Sequence, residues 1–226
     1  MTLKIYGTPM SPFVRKVRAC MHEKGLDYEI DPVSPFDPPE GWRTLSPLGR
    51  VPVLRDTDVG TEGADGTLSD SSAICVYLER IQPQPPLYPA AAFQHARACW
   101  LEEYADTELA VRIGFGILRT VIAAPLNGEA PDWETAETTV REKLPRSFVY
   151  LEGQLSDGVE FFCGDAPSIA DIAMTAQLIG FRHAGFEIDK ALYPKLATWL
   201  ERMLGRRSIA SIVAEDKERL GEISRL

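Results

Sequence analysis

Apolar and polar positions follow two rhythms in the first part of the chain and only one in the rest. Leu3-Lys4-Ile5-Tyr6 is a strand-length run closed by Gly7. Pro12 to Lys24 carries Phe13, Val14, Val17, Cys20 and Met21 at helical spacing, and Gly25 supplies the stop. Tyr28 to Val33 alternates like a second strand. Asp37-Pro38-Pro39-Glu40 opens an irregular helical piece ending near Leu45. Val51 to Arg55 predicts a third strand and a fourth lies just before Ser69. A helix then runs from Ser69 or Asp70 to about Ile81, with Ile74, Tyr77, Leu78 and Ile81 on one side. The predicted order is β-α-β-α-β-β-α, with the last two strands forming an antiparallel hairpin. Its loop, Asp56 to Gly66, holds four acids and three glycines and reads as mobile and solvated.

Gln82-Pro83-Gln84-Pro85-Pro86 is the clearest linker, since its prolines stop the preceding helix and extend the chain. Strand signals nearly vanish after it. Ala91 to about Ala123 predicts one long helix and Trp133 to Leu155 another, kinked or divided at Pro145. Ser168-Ile169-Ala170-Asp171 matches a capping box, followed by Ile172, Ala173, Ala176 and Ile179 at core spacing. Helices near Pro194–Leu204 and Ser208–Leu220 finish an all-helical second half.

Charge narrows the classes of partner. A formal net charge of −9 argues against broad contact with nucleic acid or an anionic membrane surface. No apolar run approaches the roughly 20 residues of a membrane span, and the N-terminus lacks a secretory pattern, so a cytoplasmic location is expected. Cys20, Cys75, Cys99 and Cys163 lack metal-ligand or redox-motif spacing, so no metal site is expected. Cys20, Cys75 and Cys99 read as small core residues within helical apolar patterns.

Three short stretches carry candidate chemistry. Ser11-Pro12-Phe13 puts a hydroxyl at a strand-to-helix turn, where unpaired N–H groups and the helix dipole stabilise an anion such as a thiolate. Val51-Pro52-Val53 places a proline that cannot donate to a ladder. It is either a plain edge-strand proline or a cis bond that turns the Val51 N–H and C=O outward to pair with an extended ligand. Asp70-Ser71 opens the third helix, either as a simple cap or as a site where Ser71 holds a carboxylate and Asp70 pairs with an ammonium.

Together, Ile5-Tyr6-Gly7…Ser11-Pro12-Phe13, Leu48-Gly49-Arg50-Val51-Pro52-Val53-Leu54 and Leu68-Ser69-Asp70-Ser71-Ser72-Ala73-Ile74…Tyr77-Leu78 resemble the glutathione transferase family. Pro86-Leu87-Tyr88-Pro89 and the Ser168–Asp171 box fit as well. The resemblance implies an α/β plus all-α fold: a thioredoxin-like N-terminal domain over 1–82, an all-helical C-terminal domain over 88–226, and a homodimer. It further implies glutathione as cosubstrate, with Val51 beside a cis Pro52 on its cysteinyl part and Asp70 and Ser71 on its γ-glutamyl head. Many relatives carry Glu where Asp70 stands, and the shorter side chain implies a lower affinity here. Arg50, with Arg43 as a second candidate, would neutralise the glycyl carboxylate.

Ser11 is then the catalytic residue, as a hydrogen-bond donor to the thiolate and not a nucleophile. A free thiol has a pKa of about 8.5, and a bond to a charged acceptor is worth about 1.5–3 kcal/mol, enough to lower it by about one to two units. Tyr6 is assigned to packing. A small hydrophobic electrophile would meet Met10 and Phe13 on one side, and Tyr104, Glu108, Val111, Arg112 and Phe115 on one face of the first long helix on the other. Thiol exchange is disfavoured, because a hydroxyl cannot form the mixed disulfide it needs. The rival readings are a glutathione-dependent isomerase, whose members usually carry Ser-Ser-Cys where this chain has Met10-Ser11-Pro12, and a non-catalytic binding or regulatory protein of the same fold.

Overall fold

The computed structural model describes residues 2–223. The chain divides into two compact units at Leu87 and Tyr88. The first contains β1 (Leu3–Tyr6), α1 (Pro12–Lys24), β2 (Tyr28–Asp31), α2 (Trp42–Leu45), β3 (Val53–Asp56), β4 (Thr67–Ser69) and α3 (Ser71–Ile81). Its four-stranded sheet has the order β2-β1-β3-β4, with β1 parallel to β2 and both other pairs antiparallel. The parallel pair needs a crossover, which α1 supplies, whereas β3 and β4 need only a loop. Side chains alternate along β1: Leu3 and Ile5 are fully buried, while Tyr6 packs its ring edge-on against Trp42 of α2, centroids 6.2 Å apart. Tyr6 therefore packs, as the sequence suggests.

α1 starts at Ser11 with Pro12 in its first turn, and Gly25 closes it at φ 64°. The loop between β3 and β4 departs from expectation. It is tied down on itself, because the buried Arg55 guanidinium donates to the carbonyls of Asp65 (3.0 Å) and Gly63 (2.6 Å). The Asp56 N–H donates to Gly66 O at 2.9 Å, and its carbonyl accepts from Val59 and Gly60. Glycine is required at 66, where φ is 68° and a Cβ would meet Gly60 N at 2.6 Å. Asp58, Glu62 and Asp65 lie outward and Asp56 is buried, while the backbone closes the knot around a buried cation, a tertiary arrangement that composition does not report.

The proline linker is also anchored within the first unit. Lys24 Nζ donates to Gln82 O and Pro85 O and pairs with Glu79 at 2.6 Å, while Glu79 accepts the Leu87 N–H.

The second unit is helical: α4 (Ala92–Leu126), α5 (133–154), α6 (Ile169–His183), α7 (Pro194–Leu204) and α8 (Arg207–Ile223). From Ala105 to Ala123, α4 winds with i→i+5 hydrogen bonds. Its buried row, Leu101, Ala105, Leu109, Ile113, Ile117 and Val121, recurs at every fourth residue. That spacing lies between the 3.6-residue turn of an α-helix and the wider turn of i→i+5 winding. A similar widening over Thr139–Lys143 comes just before Pro145 and absorbs its missing N–H, so α5 is neither divided nor broken.

By length and composition α4 is long and apolar enough to cross a membrane. This corrects the expectation that no such segment exists. Its buried row belongs to the core formed with Phe148, Leu151, Met174, Leu178, Phe181 and Trp199, as in the central helix of a globular bundle.

The capping box at the start of α6 is present, and its Asp171 does more than cap. The fully buried carboxylate accepts from Ser168 N and Oγ, Phe162 N and Trp199 Nε1, all at 2.8–3.0 Å. It thereby ties the 162 segment and α7 to α6. Burial pushes its carboxyl up while these four donors pull the other way.

Candidate functional site

Strand register brings the three candidate stretches to one end of the small sheet. Tyr6, the last residue of β1, pairs with Val53, the first of β3, and Val53 pairs on its other side with Ser69, the last of β4. The segments continuing from these residues are Gly7 to Ser11, Pro52-Val51 and Asp70-Ser71. Adjacent strands lie about 4.8 Å apart, so stretches scattered through the sequence emerge side by side.

Close packing fixes two of them together. Gly7 has φ 154°, and a Cβ there would sit 2.7 Å from Val14 Cγ2 and 3.1 Å from Val51 Cβ. Only glycine lets the β1–α1 turn lie against Val51. Ser11 occupies the N-cap position of α1, with φ −65° and ψ 130°, but its hydroxyl makes no capping bond. It is half-buried, and no acid occupies the first turn of α1. A hydroxyl at a positive helix end, not spent on the helix, suits an anion outside the chain.

The Val51–Pro52 bond is cis. Registered pairing of β3 begins only at Val53, so Val51 precedes the ladder. Its position is set by Ser46, a residue the sequence reading passed over. Buried Ser46 Oγ donates to Arg50 O at 2.8 Å and accepts from Arg50 N at 3.0 Å, while Gly49 N closes a turn onto Ser46 O at 2.8 Å. Ser46-Pro47-Leu48-Gly49 has proline and glycine where such a turn favours them, which was the available signal. The Arg50 side chain is exposed and makes no ion pair among the described residues. Arg43 instead braces the turn, donating to Pro47 O at 3.1 Å beneath Gly49.

Asp70 caps α3, its carboxylate accepting from Ser72 N at 2.9 Å. It does so at φ 84° and ψ 128°, the one positive φ outside glycine among the described residues. Capping normally uses the extended region, so the cap does not account for a conformation costing about 1–3 kcal/mol. Such outliers collect at functional sites. Ser71 follows, buried, at the first helical position.

Met10 and Phe13 flank Ser11 and are half-buried. The five α4 residues divide into two rows. Tyr104, Glu108 and Arg112 turn toward α5: Glu108 accepts from Arg112 Nε and from Ser147 Oγ, both at 3.1 Å. The Tyr104 ring lies 4.6 Å from that of Tyr150, and burial pushes its phenol up. Val111 and Phe115 are more than half exposed. The i→i+5 winding parts residues that an ordinary helical spacing would group. No metal-holding cluster of His, Cys, Asp or Glu occurs among the described residues.

Two family models match, the N-terminal domain of glutathione S-transferase over residues 5–86 and its C-terminal domain over 94–202. The chain belongs to the glutathione S-transferase family. An uncharacterized GST-like protein of Escherichia coli K12, YibF, is 30% identical over 92% of this chain and 96% of its own. Among solved structures, a glutathione S-transferase from Rhodospirillum rubrum is 27% identical and superposes with TM-score 0.81, covering 93% of this chain and 91% of that one. A glutathione S-transferase from Methylobacterium radiotolerans, solved in complex with glutathione sulfonate, is 26% identical with TM-score 0.72, covering 94% and 95%. The thioredoxin-like first unit and the helical second unit are the architecture of this family.

Proposed function

We propose that the protein is a glutathione transferase that activates the glutathione thiol as a thiolate and conjugates it to small hydrophobic electrophiles. The observation that carries this reading is the convergence of Ser11, Val51-Pro52 and Asp70-Ser71 at one end of the sheet, with the Ser11 hydroxyl unused by its own helix. Glutathione lies extended, its cysteinyl backbone paired with Val51. Its γ-glutamyl carboxylate takes the Ser71 hydroxyl and backbone N–H, and its ammonium takes Asp70. Exposed Arg50 serves the glycyl carboxylate. The binding energy spent at Asp70 offsets the strain stored there.

Ser11 Oγ–H donates to the sulfur as its proton leaves for solvent. A charge-assisted bond of about 1.5–3 kcal/mol, added to the helix end, lowers a thiol pKa of about 8.5 into the neutral range. The thiolate attacks the electrophilic carbon and the leaving group departs with the electron pair. Met10 and Phe13, which flank Ser11 in the first unit, offer apolar contacts for the electrophile. Within the second unit, Tyr104, Glu108 and Arg112 form a braced polar group. The active form is a cytoplasmic homodimer, and its conjugation serves detoxification.

Steady-state kinetics with glutathione and an aryl halide test the roles. Ser11→Ala lowers kcat with little change in glutathione affinity, by about 10- to 100-fold for a bond of this strength. Ser71→Ala mainly raises KM for glutathione. Unchanged turnover in the Ser11 variant refutes the assignment.

A further inference from the structure

Two buried cysteines face each other at the centre of the contact between α1 and α3. Cys20 Sγ lies 3.4 Å from Cys75 Sγ, both side chains about 1% exposed. They form the middle of three rungs. One turn toward the N-termini, Lys16 Nζ donates to Ser72 Oγ at 3.0 Å, and one turn toward the C-termini, Lys24 pairs with Glu79 at 2.6 Å. Residues three and four apart share a helix face, so 16, 20 and 24 on α1 meet 72, 75 and 79 on α3 in order. The outer rungs hold the helices in register and keep the two thiols opposed. Two opposed sulfurs add a chemistry that apolar packing alone lacks.

We propose that Cys20 and Cys75 are a modification site, an intramolecular dithiol that a hydroperoxide converts to a disulfide. One sulfur attacks the peroxide O–O bond, giving a sulfenic acid and releasing the alcohol, or water from hydrogen peroxide. The second sulfur displaces the sulfenic oxygen as water and closes the S–S bond. Two electrons pass from the sulfur pair to the peroxide, and both thiol protons end in the oxygen products. Bringing the sulfurs to about 2.05 Å shortens their separation by about 1.4 Å, shared between two side chains. Burial selects a small oxidant, admitted by local opening, over a bulky disulfide. The new link ties together the helices that carry Ser11 at one N-terminus and Asp70-Ser71 at the other.

The test reads sulfur chemistry directly and is independent of glutathione turnover. The reduced full-length protein is treated with hydrogen peroxide, alkylated in acidic denaturant and digested without reductant. The expected result is a peptide pair linked through Cys20 and Cys75, lost on adding dithiothreitol. Cys75→Ser gives no link to Cys20. The proposal is overturned if Cys20 and Cys75 are both recovered alkylated at a dose that oxidises Cys99 and Cys163, or if Cys20 links to either of those or to a second copy.

Discussion

Removing the Ser46 hydroxyl tests whether the turn before Val51 positions glutathione or merely completes the fold. Ser46→Ala deletes the bond donated to Arg50 O and the one accepted from Arg50 N. Each is worth about 0.5–1.5 kcal/mol net, so the pair contributes about 1–3 kcal/mol. Arg50 is exposed, so water can take over its backbone groups and the loss falls at the lower end of that range. The freed turn leaves Val51 less often in its binding position, and that cost appears in affinity. At about 1.4 kcal/mol per tenfold, a loss of about 1 kcal/mol raises KM for glutathione roughly fivefold. Ser11 lies on a different segment, so kcat changes by no more than about twofold. The assay is steady-state conjugation of an aryl halide with glutathione varied, alongside calorimetric titration of glutathione. A variant that melts lower yet keeps the wild-type KM would show that Ser46 braces the fold and nothing more.

Asp70→Asn separates capping from charge: asparagine caps a helix as well as aspartate, so stability changes by less than about 0.5 kcal/mol while glutathione affinity falls. If calorimetry finds equal affinities, the Asp70 charge has no role in recognising the head group. Tyr77 donates to Asp56 Oδ2 at 2.5 Å, and its phenol is pushed up to about 12, first by burial and then by that bond. The folded value exceeds the ordinary one of about 10, so the stabilisation is complete below pH of about 10 and is lost as pH climbs through about 12. Ultraviolet titration should show a late-ionising tyrosine that is absent in Tyr77→Phe, a variant that also loses about 1–2 kcal/mol at neutral pH. A Tyr77 that ionises with the other tyrosines contradicts this.

The elements were legible because each leaves a local trace: Gly25 after α1, Pro12 in its first turn, a capping box before α6, and alternation along β1. The order and type of strands followed, and the same stretches carried the family resemblance. Where local rules met tertiary winding they failed. Tyr104, Glu108, Val111, Arg112 and Phe115 form one stripe at ordinary helical spacing, yet the wider turns of α4 send three toward α5 and leave two exposed. The acidic loop reads as mobile by composition, whereas Arg55 closes it through carbonyls that composition cannot count.

By itself the sequence determined the strand-and-helix order, the family and the residue types available for chemistry, since all of these depend on neighbours a few positions apart. Only the tertiary structure decided that Val51 rests against Gly7, that Ser46 holds the turn before it, that Asp70 is held at a positive φ, and that two distant cysteines are opposed. Those outcomes depend on which surfaces meet when strands register and helices pack, and such distances are set between segments far apart along the chain.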